Sequence, residues 1–96
     1  MTTYIIIGRT NSYIANRDSQ FAGKCSVILQ SGLTLQEARA ELLSMLEECY
    51  EVSYPNWGVA MNSHIGRQYC THNSDGTYSF EYDSRYYYIE EETEEL

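Results

Sequence analysis

Apolar positions change their spacing several times along this chain, and each spacing predicts a different element. Tyr4-Ile5-Ile6-Ile7 is a continuous, largely β-branched run that predicts a buried strand ending near Gly8. Lys24 to Gln30, centred on Val27-Ile28-Leu29, predicts a second strand that pairs with the first. Between them, Asn11 to Gly23 is polar and turn-rich, with Tyr13, Ile14 and Phe21 as its large apolar residues. So long a connection is often functional or pinned by its own side chains.

The spacing then becomes helical. Leu35, Ala38, Leu42, Met45, Leu46 and Cys49 form one apolar stripe, while Gln36, Arg39, Glu41, Glu47 and Glu48 fall on the other faces. Thr34 and Glu37 make a T-x-x-E capping box, in which the hydroxyl accepts an amide of the first turn and the carboxylate reaches back to the cap. The helix should stop before Pro55, because the residue preceding a proline is pushed out of the α region. Such a stripe is explained by core packing and requires no cofactor.

Beyond the helix the period becomes two. Trp57 to Thr71 predicts one long strand, or two collinear strands broken near His64 to Gly66, with its odd positions inward. Asp75-Gly76 predicts a hairpin turn. Tyr78, Phe80 and Tyr82 then alternate with Ser79, Glu81 and Asp83. If Asp83-Ser84 is a two-residue turn, Tyr82 faces Arg85, Phe80 faces Tyr87 and Tyr78 faces Ile89, since direct cross-strand pairs share a face. Tyr86 and Tyr88 then lie on the outer face beside Ser79 and Glu81.

The order reads ββαβββ. The fold class predicted is α+β, with a single helix packed on a mostly antiparallel sheet and a C-terminal β-meander. Residues 1–91 make one domain, and residues 92–96 end a glutamate run that starts at Glu90 and is expected to fray.

Composition adds to this picture chiefly through charge and tyrosine. Residues 1–33 carry three bases against Asp18, a net +2; residues 34–96 carry 13 acids against Arg39, Arg67 and Arg85, a net −10. That excess repels phosphate, which argues against direct nucleic-acid binding and against anionic membrane surfaces. Ten Tyr stand against two Phe, and tyrosine is favoured where aromatic area meets water or a partner. Cys25, Cys49 and Cys70 are widely spaced, with no C-x-x-C. Met1-Thr2-Thr3 carries no basic side chain ahead of a short apolar run, so no secretory leader is expected, and the expected location is cytoplasmic with reduced thiols.

Three constellations carry candidate chemistry. His64, Cys70 and His72 share one parity, with Glu81 as a further donor, and these types could ligate zinc. An extended strand separates His64 from Cys70 by roughly 20 Å, however, so only a bulge would join them. Cys70 and His72 also invite comparison with a thiol–imidazole pair, yet no orienting acid and no helix N-terminus is predicted beside the thiol. No catalytic or phosphate-loop motif occurs, so neither an enzyme nor a cofactor is expected. The third constellation is Tyr86 and Tyr88 with Glu81: aromatics ringed by acids suit a basic protein partner through burial and cation–π contact.

The spacing of Trp57-Gly58 and Asp75-Gly76-Thr77 through Ser79-Phe80-Glu81-Tyr82-Asp83-Ser84-Arg85 resembles small proteins of gut bacteria and their mobile elements. The resemblance implies a bacterial or phage origin and assigns no residue a role. The first functional expectation is a non-enzymatic protein–protein interaction module. The alternative is an acidic inhibitor that mimics nucleic-acid charge and blocks a DNA- or RNA-binding protein. A small metal-binding domain or enzyme using His64, Cys70 and His72 is the third.

Overall fold

The computed structural model describes residues 2–50 and 70–92. In chain order the elements are β1 (Thr3–Arg9), α1 (Ser12–Ala15), β2 (Ser26–Leu33), α2 (Leu35–Tyr50), β3 (Thr71–His72), β4 (Tyr78–Tyr82) and β5 (Arg85–Glu92). The class is α+β: one main helix and a five-stranded sheet ordered β2-β1-β5-β4-β3, with every neighbouring pair antiparallel. β1 and β2 pair as expected. β1 also pairs with the last strand, joining Thr3 to Glu92 and Arg9 to Tyr86.

The order departs from ββαβββ by one element, the single helical turn α1. Asn11 caps it by accepting the Ile14 amide at 2.9 Å. Four residues are too few to show a helical period, so the turn is invisible to hydrophobic patterning. The connection around it belongs to the core. Phe21 is fully buried, and it fits because Gly8 has no side chain: a Cβ there would lie 3.3 Å from both Phe21 and Tyr87. The Tyr87 hydroxyl donates to Gln20 Oε1 at 2.9 Å. Asp18 pairs with Arg85 at 2.8 Å. That guanidinium, with the Gln20 amide, holds the Asp18 carboxyl below its usual range.

The helix starts as its sequence dictates. The Thr34 amide donates to Glu37 Oε1 at 2.9 Å, and the Glu37 amide donates to Thr34 Oγ1 at 3.1 Å. Ala38, Leu42, Leu43 and Leu46 are buried against the sheet, so the stripe is one residue wider than the spacing of its first members suggests. Thr34→Ala is expected to destabilise the fold by about 1 kcal/mol, read from urea unfolding, because it leaves a first-turn amide without its partner.

The inner face of the sheet carries Ile6, Tyr78, Phe80, Tyr87 and Ile89, all buried with the helix stripe in one cluster. Tyr82 shares that face but lies at the strand end, 36% exposed. It meets Tyr50 edge-on with ring centroids 5.0 Å apart. At the β3–β4 turn Gly76 adopts φ +88°, open to glycine at no steric cost. Arg39 Nε donates to the Gly76 carbonyl at 2.8 Å and so ties the turn to the helix.

Two expectations need correction. β5 runs to Glu92, whose carboxylate accepts from Thr3 Oγ1 at 2.9 Å and the Gly32 amide at 3.3 Å. Pairing with β1 therefore orders the start of the glutamate run. Ser79 is not solvent-side but 3% exposed. It keeps the outer-face register, and its small side chain sits between those of Tyr88 and Thr71 on the neighbouring strands. The long strand expected from Trp57 onward lies, as far as position 69, outside the described residues.

Candidate functional site: the outer face of the sheet

The β4–β5 register follows from the turn. Asp83 and Ser84 both take the left-handed conformation, φ 48° and 63°, which a two-residue type I′ turn demands. Tyr82 then pairs with Arg85, Phe80 with Tyr87, Glu81 with Tyr86 and Ser79 with Tyr88. Because side chains alternate across a strand, Tyr86, Tyr88 and Glu81 share the face opposite the helix.

The β1 pairings extend that face across the sheet. One row reads Ile28, Ile7, Tyr88, Ser79, Thr71; the next reads Ser26, Arg9, Tyr86, Glu81. Ile28 is 65% exposed and Tyr86 40%, with Tyr88 half-buried and Glu81 exposed. The Tyr86 and Tyr88 rings stack with centroids 5.1 Å apart and planes inclined by 23°. Arg9 places its guanidinium 5.6 Å from the Tyr88 centroid, within cation–π range. The sequence reading places Ile28 in a strand centre and gives neither Ile28 nor Arg9 a role in this face. Both enter the face through the β1 pairings, which join distant segments of the chain, and a continuous apolar run such as Val27-Ile28-Leu29 carries no facing of its own.

The loop from Asn11 to Gly23 does not cover this patch. Its anchors, Phe21 and Gln20, reach Gly8 and Tyr87, which belong to the inner face. It forms instead one wall of a cleft of about 640 Å³ at the end of the sheet, lined by Tyr13, Arg17, Asp18, Ser84 and Arg85 among others. Arg85 is engaged there by Asp18 and Asp83, and Arg17 lies 4.3 Å from the Tyr13 ring centroid.

The metal and nucleophile candidates are distributed differently. His64 lies outside the described residues. Cys70 is buried in the core, and His72 stacks on Tyr78 at 4.3 Å. The pairing of Thr71 with Ser79 turns Cys70 and His72 to the inner face. That reverses the expected parity, in which odd positions pointed inward, and separates both residues from Glu81 on the outer face. Burial pushes the Cys70 thiol up to about 11, so it stays protonated near neutrality, the wrong state for a ligand or nucleophile. Among the described residues no three His, Cys, Asp or Glu side chains converge as a metal site, and no helix is long and apolar enough to cross a membrane.

No protein-family model, curated protein or solved structure matches the chain.

Proposed function

We propose that this chain is a non-enzymatic, cytoplasmic interaction module of bacterial or phage origin that binds a basic protein partner through Tyr86, Tyr88 and Glu81. The observation that carries the reading is the stacked, accessible Tyr86–Tyr88 pair, with one ring already holding a guanidinium from Arg9. A surface that accepts its own arginine has the chemistry to accept a partner's. Glu81 and Glu90 stand on the same face and are exposed, so acids flank the aromatics. Ile28, exposed on the same face, extends the apolar contact toward the sheet edge.

Titration with an arginine-rich peptide, followed by amide chemical shifts, tests this reading. Shifts should centre on β5 around Tyr86 and Tyr88. The Tyr86→Ser/Tyr88→Ser variant should keep its circular dichroism, since neither ring fills the core. It should bind weaker by about 2 kcal/mol, the usual cost of removing an aromatic anchor. A contact anchored this way changes modestly with salt, whereas affinity that collapses between low and moderate salt would favour the nucleic-acid mimic. Shifts confined to other surfaces would sink the proposal.

A further inference from the structure

Docking on Tyr86 and Tyr88 covers more than the two rings. In register order, one row of the outer face reads Ser26, Arg9, Tyr86, Glu81, so a base and an acid flank Tyr86 on its two neighbouring strands. Both are exposed. Arg9 leans over the Tyr88 ring, and its cross-strand neighbours Ser26 and Tyr86 offer no carboxylate. Neither the Arg9 guanidinium nor the Glu81 carboxylate makes a hydrogen bond or ion pair among the described residues.

Water serves these charges while the face is bare. Under a partner they lose that water, and a covered charge without a counter-charge is costly. A partner that is only basic satisfies Glu81 but sets a like charge against Arg9. One that is only acidic has the reverse fault. The fitting partner is itself dipolar: a carboxylate for Arg9, an arginine for Glu81, and apolar surface between them for Tyr86 and Tyr88.

The span sets the partner's shape. Arg9 and Glu81 stand two strand spacings apart, about 10 Å. An extended segment places same-face side chains about 7 or 13 Å apart. No strand can be added here either, because β5 is already paired on both sides. An α-helix places positions i and i+7 on one face about 10.5 Å apart, with i+3 and i+4 between them. Lying across the strands, such a helix sets its acid over Arg9, its middle residues over Tyr86 and Tyr88, and its arginine over Glu81. One turn before the acid, an apolar residue meets the exposed Ile28 on β2.

We infer that this face recognises a helix carrying an acid and, seven positions on, an arginine, with two apolar residues between. This rests on the aromatic platform proposed above and narrows the partner that fits it.

Three alanine-based helical peptides of about 18 residues provide the test. All carry leucine at i+3 and i+4 and arginine at i+7. Position i is glutamate, glutamine or arginine, which have similar helix propensities. Amide-shift titrations are run at about 0.15 M salt, where long-range fields are screened. The glutamate peptide should have the lowest Kd, about threefold below glutamine and about tenfold below arginine. The chain's net charge of −8 pulls the other way, toward the doubly basic peptide, so bulk attraction cannot produce this order. Arg9→Gln should erase the preference for glutamate and Arg9→Glu should reverse it, with circular dichroism checking that both variants fold. Equal Kd values, or the arginine peptide tightest on the parent chain, overturn the inference and leave the platform standing. So does a glutamate preference that survives in Arg9→Glu. If no peptide shifts Tyr86 or Tyr88 at millimolar concentration, the platform itself fails and the inference fails with it.

Discussion

Phe21→Ala is expected to destabilise the protein by about 3–5 kcal/mol, the range for deleting a buried aromatic ring. Phe21 is one of the largest fully buried side chains, though it sits in a stretch whose neighbours are mostly polar and exposed. Its ring packs where Gly8 leaves space, against Tyr87. Removing it opens a cavity between β1 and the loop and loosens the Gln20 hydrogen bond to Tyr87 and the Asp18–Arg85 ion pair. A small domain has only about 5–15 kcal/mol in total, so the variant should lose much of its unfolding transition. Urea denaturation measures this. A loss under about 1 kcal/mol would mean that the loop is an appendage outside the core.

Phe80→Ala should cost as much, about 3–5 kcal/mol, for a different reason. Phe80 lies at the centre of the inner face, buried, 5.0 Å from the Tyr87 ring and in register with it. It links β4 to the helix stripe. Glu81→Ala, one position along on the outer face, should change stability by less than about 0.5 kcal/mol. The contrast tests register directly, because a slip of one residue would exchange the two effects. Thermal unfolding of both variants under one set of conditions decides it.

What could be read from sequence was what depends on neighbours in the chain. The Thr34–Glu37 box spans four residues and the helix stripe repeats every three or four, so both were legible. The Asp83-Ser84 turn sets its own register, and with it the facing of Tyr86, Tyr88 and Glu81. Contacts between distant segments were not legible. The pairing of β1 with β5 brings Arg9 beside Tyr86 and Tyr88 across most of the chain's length, and no local period encodes it. The facing expected at Cys70 and His72 depends on one unbroken period of two from Trp57 onward, and period alone does not fix facing over so long a run. The turn α1 was missed because Asn11 caps a helix shorter than the span over which a helical period can show.

The three cysteines sit at three depths: Cys25 exposed, Cys49 half-buried and Cys70 in the core. For Cys49 and Cys70, burial also pushes the thiol pKa up, so accessibility and thiolate fraction both slow their reaction. The unaltered chain thus carries its own chronometer. Alkylation counted by mass spectrometry reports the loop end at once, then local opening along the helix, and last the parting of helix from sheet. Local fraying and global unfolding become separate clocks in one experiment, with no probe introduced.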